Sequence, residues 1–243
     1  MLNLEIYDDK NVYIKESCTL VLKNKNININ YNFSNGEYVV LVFNDFDDDV
    51  LINETGSINN SYVKINYLQL DPFNLKQNTS IDVNDDSSLV INTTYLATKN
   101  KEVVFNLFNK KPNSTVDINN NVVCINDSNF SMDCIGTIVK GAKLSKCHQK
   151  NHCLTIDSPK KARILPVLNI DENDVEASHS LSCGTIDDEI LFYINSRGLN
   201  NSEALNLILR SYLMPNDDYY SDFELGSVIQ EKANRKVDQI CSM

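Results

Sequence analysis

The residues with the widest chemical reach in this sequence are its seven cysteines and three histidines: Cys18, Cys124, Cys134, Cys147, Cys153, Cys183 and Cys241, with His148, His152 and His179. Thiolate and imidazole are the side chains that take zinc, iron and iron–sulfur centres. Cys147-His148 and His152-Cys153 form a C-H-x3-H-C cluster with the donor types of a zinc site. Zinc modules usually keep their ligand pairs further apart than this. On a strand, moreover, adjacent residues face opposite ways, which would divide each Cys-His pair. The second grouping is His179 with Cys183. On a strand over 178–184 both fall on one face, where an imidazole and a thiolate could bind iron together. The plainer readings are a hydrogen-bonded histidine at a subunit contact and a small buried cysteine. Cys18, Cys124, Cys134 and Cys241 show no pairing pattern and read as core or surface thiols.

Carboxylates offer less. Asp45, Asp47, Asp48 and Asp49 form an acidic run, but it lacks the glycine and terminal glutamate of a calcium loop and reads as a solvated turn. Asp187, Asp188 and Glu189 read as favourable negative charge at a helix N-terminus. No G-x-x-x-x-G-K-[ST] loop is present, so no ATPase is expected in this chain.

Composition narrows the class. The chain has 243 residues, a net charge of −11 and 42% hydrophobic residues. That suffices for a real core, and the absence of a basic patch argues against nucleic-acid binding. The longest apolar run, Tyr38 to Phe43, is strand length, so no membrane span is expected. The start Met1-Leu2-Asn3-Leu4-Glu5 lacks the regions of a signal peptide, which predicts a cytoplasmic protein. An odd number of cysteines in a reducing compartment argues against a disulfide framework. The N-x-S/T triplets, such as Asn53-Glu54-Thr55, then carry no weight, and the abundance of Asn reads as a codon bias that blurs turn prediction.

The elements that must position the candidate residues fall into two regimes. Up to about residue 176, short β segments are separated by polar residues. Ile27, Ile29, Tyr31 and Phe33 alternate with Asn, as do Val63, Ile65 and Tyr67, Ile81 and Val83, and Val116 and Ile118. Glycine is scarce, and Asn35-Gly36 is the one clear hairpin signal. Parallel coils with polar corners are therefore favoured over a sandwich or barrel, although no strict repeat is legible. From Asp187 the period turns helical. Ile190, Leu191 and Ile194 share a face, Gly198 is a natural C-terminal cap, and Asn200 with Glu203 resembles a capping box. Ala204, Leu205, Ile208, Leu209 and Tyr212 form a stripe before Pro215. A third helix is expected from about Asp222, with Leu225, Val228, Ile229, Ala233, Val237 and Ile240 on one face. The expected fold is mainly β, a right-handed parallel β-helix over 1–184, with a small α-helical region over 185–243 that covers the end of the solenoid.

The segment from Ala177-Ser178-His179-Ser180-Leu181-Ser182-Cys183-Gly184 through Asp187-Asp188-Glu189-Ile190-Leu191-Phe192-Tyr193-Ile194-Asn195-Ser196-Arg197-Gly198-Leu199 resembles the C-terminal signature of the SufB/SufD family of iron–sulfur cluster scaffolds. The family pattern there is approximately C-S-H-G-A-T-V-G, an acidic pair, an L/I-F-Y-L tetrad and S-R-G-I. Upstream, Gly136-Thr137-Ile138-Val139-Lys140 and Cys147 through Leu154 are similar to its G-x-I/V-K … Q-x-N-x-N-L-L stretch, and Ala162 through Ile170, then Asp174-Val175, to its A-x-x-x-P-x-L-x-I … D-D-V run. The resemblance covers residues 134–213; residues 1–130 match only in β character. Ala177 stands where the family often has Cys, and Ser180 replaces the Gly after the His. Ser158 through Arg163 lacks the Cys that the SufB side carries, so the chain resembles the SufD side, in a form with no helical domain ahead of the β region.

The resemblance implies a non-enzymatic scaffold subunit. It implies pairing with a SufB-like subunit through the C-terminal part of the β-helix, and docking of a SufC-like ABC ATPase by the C-terminal helices. It places a functional histidine at His179, a candidate ligand of iron or of a transient iron–sulfur cluster shared with the partner; Cys183, on the same strand face by spacing, is a second candidate. The competing readings are a carbohydrate-active β-helix enzyme, disfavoured by unclustered acids, and a small zinc protein using residues 147–153.

Overall fold

The computed structural model describes residues 2–6, 11–44, 49–156, 161–214 and 226–242. Asp45, Asp47 and Asp48 of the acidic run, Ser158 through Lys160, Pro215, Asp222 and Leu225 lie outside them. Thirteen strands run β1 (Leu2–Ile6), β2 (Asn11–Ile14), β3 (Cys18–Leu22), β4 (Asn26–Asn44), β5 (Val50–Gln69), β6 (Leu75–Val83), β7 (Ser88–Ala97), β8 (Asn100–Asn109), β9 (Thr115–Ile125), β10 (Asn129–Ile138), β11 (Lys146–Ile156), β12 (Lys161–Ile170) and β13 (Glu176–Gly184). The helices α1 (Asp188–Ser196), α2 (Asn201–Leu213) and α3 (Gly226–Cys241) follow.

Every strand pair is parallel. The strands stack in two columns, giving a parallel β-solenoid of about 6 turns. One column climbs from β2 through the first halves of β4 and β5 to β6, β8, β10 and β12. The other climbs from β1 and β3 through the second halves of β4 and β5 to β7, β9, β11 and β13. Alternation puts Ile27, Ile29, Tyr31, Phe33, Val63, Ile65, Tyr67, Ile81, Val83, Val116 and Ile118 in the shared interior, as their spacing predicts.

Asn35-Gly36 is not a hairpin, because a parallel solenoid has none. Asn35 (φ 56), Asn60 (φ 45), Asp86 (φ 50), Asn113 (φ 55) and Leu144 (φ 59) occupy the left-handed region at one corner of successive coils. Asn and Asp tolerate that region because their short polar side chains bond locally. Asn60 Nδ2 donates to Asn35 Oδ1 at 2.9 Å, and Asn113 Nδ2 to Asp86 Oδ1 at 3.1 Å. Further Asn ladders run up the outer faces: Asn28–Asn53–Asn78 on one column and Asn66–Asn92–Asn119 on the other. The asparagines that read as a compositional bias are thus rungs that satisfy one another from coil to coil.

The interior also holds a carboxylate. Glu54, 1% exposed, accepts hydrogen bonds from Tyr31 Oη at 2.7 Å, Tyr67 Oη at 2.9 Å, Gln77 Nε2 at 3.0 Å and the Thr79 hydroxyl. Tyr95 Oη in turn donates to Gln77 Oε1 at 2.8 Å. Burial pushes the Glu54 carboxyl upward in pKa, and the four hydrogen bonds oppose that shift.

The helices do not cover the end of the solenoid. Leu209 and Leu213 of α2, with Ile229, Ala233, Val237 and Ile240 of α3, pack against Val21, Leu41, Phe43, Leu68, Leu96, Val123 and Leu154 on the flank. These strand residues sit near the ends of the second-column strands and make an apolar outer strip that needs a cover. Asp71 fixes α3 there through Lys232 and Lys236. Asn200 and Glu203 form the expected capping box, and Gly198 (φ 97) closes α1. Val228 faces outward rather than sharing the buried stripe of α3.

Candidate functional site at the last coil

With the helices on the flank, β12 and β13 end the two columns, and neither has a strand on its far side among the described residues. Their alternation matches the coil beneath. Ala177, His179, Leu181 and Cys183 stand over the buried Cys147, Gln149, Asn151 and Cys153. Ala162, Ile164, Pro166, Leu168 and Ile170 stand over Phe130, Met132, Cys134, Gly136 and Ile138. The first set points along an interior that stops, so every residue of β13 is exposed. The last coil thus presents an open strand edge with inward-type apolar residues exposed.

Polar groups line this end. Thr93 donates to Asn120 at 2.7 Å, Asn120 to Asn151 at 2.7 Å, and Asn151 to the Ser180 carbonyl at 2.8 Å. Gln149 Nε2 crosses the interior to the Val167 carbonyl at 3.0 Å, while its buried Oε1 has no partner among the described residues. His179 lies one strand above it in register. Gly136, from the first motif of the resemblance, is required by close packing: a Cβ there would overlap Cys147 Sγ.

His179 and Cys183 share the inner face of β13, as their spacing predicts. Four residues of strand, however, hold them about 13 Å apart, too far to bind one iron together. The Cys183 thiol is pushed up to about 11, first by burial and then by the neighbouring Cys153. No group of three His, Cys, Asp or Glu side chains close enough to hold a metal ion occurs among the described residues. The 147–153 cluster divides as alternation requires: Cys147 and Cys153 face the core, His148 and His152 face out. This removes the zinc reading. Cys18, Cys124 and Cys134 are buried and Cys241 is half-buried.

On the outer face, Asp117, His148 and Ser178 align in register across β9, β11 and β13, a juxtaposition the sequence reading does not contain. It has the residue types of a nucleophilic triad but not the geometry. The serine hydroxyl meets His148 Nδ1 at 2.8 Å, and no hydrogen bond joins Asp117 to the ring. Glu54 was likewise missed, although an acid at an inward position between Ile52 and Ile58 is a legible signal. Beyond β13, α1 has no buried residue and exposes Ile190, Phe192 (74%) and Tyr193. No described helix is long and apolar enough to cross a membrane.

Residues 49–212 match the family described as SUF system FeS cluster assembly, SufBD core domain. The chain is similar to the iron–sulfur cluster assembly protein SufD of Bacillus subtilis, with 36% identity over 81 residues, 33% of this chain and 18% of that protein. It is similar to SufD of Escherichia coli at 43% over 47 residues, 19% of this chain and 11% of that protein. An iron–sulfur cluster assembly SufBD family protein of Pyrococcus horikoshii is 34% identical over 80 residues, 33% of this chain and 18% of that protein. The matched stretches are thus less than a fifth of each relative.

Proposed function

Because the chain belongs to the SufBD core domain family of the iron–sulfur cluster assembly system, we propose that it is a non-enzymatic, cytoplasmic scaffold subunit of the SufD kind. Its last coil docks the corresponding coil of a SufB-like subunit. The observation that carries this reading is the pair of strands β12 and β13, which end their columns with inward-type residues exposed. A second solenoid of similar cross-section would extend both columns by backbone pairing and bury the rim of Leu168, Ile170 and Leu181. The same contact would seal His179 into the joint. A nascent cluster is the cargo here. His179 supplies one donor from this chain, the partner supplies the others, and Cys183 is a separate donor further along the edge. The exposed apolar face of α1, continuous in sequence with β13, is the surface for a SufC-like ABC ATPase. Closure of two such ATPases would move the joined solenoids and open the joint to cargo.

The test is co-expression with a SufB-like subunit and a SufC-like ATPase, then iron and sulfide analysis of the purified complex. His179→Ala should leave the complex intact and lower its cluster content. Unchanged content would remove His179 from the site, and the absence of any complex would remove the docking proposal.

A further inference from the structure

Cys153 on β11 and Cys183 on β13 are direct register partners, so their side chains stack on the inner face of the second column. Cys183 is exposed, while Cys153 beneath it is 2% exposed. We propose that these two thiols form a reversible disulfide, with a small disulfide of the glutathione class as the oxidant.

In-register neighbours on parallel strands have Cα atoms about 4.8 Å apart, inside the window a disulfide spans. The remaining adjustment falls on β13, which has a strand neighbour on one side only and ends at Gly184 with open space around it. Cys124, on the strand beneath, is only a diagonal neighbour of Cys153. Cys153 pairs with Val122, and Cys124 with Thr155. That offset puts the Cys124 and Cys153 Cα atoms about 8 Å apart, beyond what a disulfide bridges without backbone movement. Register therefore selects Cys183 over Cys124 as the partner of Cys153.

The chemistry balances in two exchanges. Cys183 gives its thiol proton to solvent and attacks one sulfur of the small disulfide. That S–S bond breaks, and the departing thiolate takes up a proton. Cys153 then loses its proton and attacks Cys183 Sγ, which breaks the mixed disulfide and releases the second small thiol. Two protein thiols are oxidised by two electrons, and one small disulfide is reduced to two thiols. The product ties the edge strand covalently to its neighbour, and excess small thiol reverses it.

The full chain is incubated with oxidised glutathione under native conditions, quenched with acid, alkylated and digested with trypsin. Cleavage after Lys150, Lys160, Arg163 and Arg197 places Cys153 and Cys183 on separate peptides that contain no other cysteine. The expected product is a Cys153–Cys183 linked pair, lost on reduction and absent from Cys183→Ser. Glutathione left on Cys183, a Cys124–Cys153 link, or Cys183 joined between two chains in place of that pair would each overturn the proposal.

Discussion

Glu54 is 1% exposed and is held by four donors. Truncating it strands the Tyr31 and Tyr67 hydroxyls and leaves the Gln77 amide only its bond to Thr79. Glu54→Ala should cost about 3–5 kcal/mol, since each buried hydroxyl it leaves unsatisfied forfeits about 1–3 kcal/mol. Urea unfolding measures this, and a loss below about 1 kcal/mol would mean the network rearranges without its centre. Lys101 is the buried cation. Its amine lies 3.3 Å from the Asp71 carbonyl, 3.4 Å from the Phe73 carbonyl and 3.8 Å from the centre of the Phe73 ring. Burial pushes it from 10.5 down to about 7. Between those values the unfolded chain binds the proton that the folded chain has released, so stability rises with pH across the window and is lost as pH falls through about 7. Lys101→Met should flatten that rise, seen as urea midpoints that no longer climb between about pH 7 and pH 10. Alternation marks Glu54 as an acid facing inward, but it says only which way a side chain points and not which polar groups await it. The shared face of His179 and Cys183 followed from their spacing, and the inward turn of Cys147 from alternation.

At the scale of elements, strands and helices followed from periodicity, while the corners did not. The corner residues recur 25 to 31 positions apart, so no fixed repeat registers, and Asn placed for αL geometry looks the same as Asn present by composition. Leu144 shows what the corner demands. It adopts φ 59 at the position that Asn35, Asn60, Asp86 and Asn113 fill below it, and it is 59% exposed. A branched side chain there costs about 1–2 kcal/mol that an asparagine largely avoids, and little apolar burial is lost with it. Leu144→Asn should therefore stabilise the protein by about 1 kcal/mol, read as a higher urea midpoint with an unchanged slope. A destabilised variant would show that the leucine makes a contact worth more than its strain.

At the scale of the molecule, the helices were expected to cover the solenoid's end, and their own stripes could not say otherwise. The stripe of a helix specifies an apolar partner, and the flank offers one in Leu41, Leu68, Leu96, Val123 and Leu154. Among the described residues the end therefore keeps β12 and β13 as open edges. Leu181 and Ser182 separate that docking reading from a general effect of altering an exposed strand. Leu181 faces along the interior over Asn151, and Ser182 faces outward beside His152. Both are exposed, so a lysine at either position should leave the unfolding free energy of the isolated chain within about 0.5 kcal/mol. In the complex they should differ. Leu181→Lys would bury an unpaired ammonium in the joint between solenoids, costing several kcal/mol, whereas at Ser182 the ammonium stays in water. Co-purification with a SufB-like partner should fail for Leu181→Lys and persist for Ser182→Lys. Equal behaviour of the two variants would mean that the inner face of β13 is not what the partner covers.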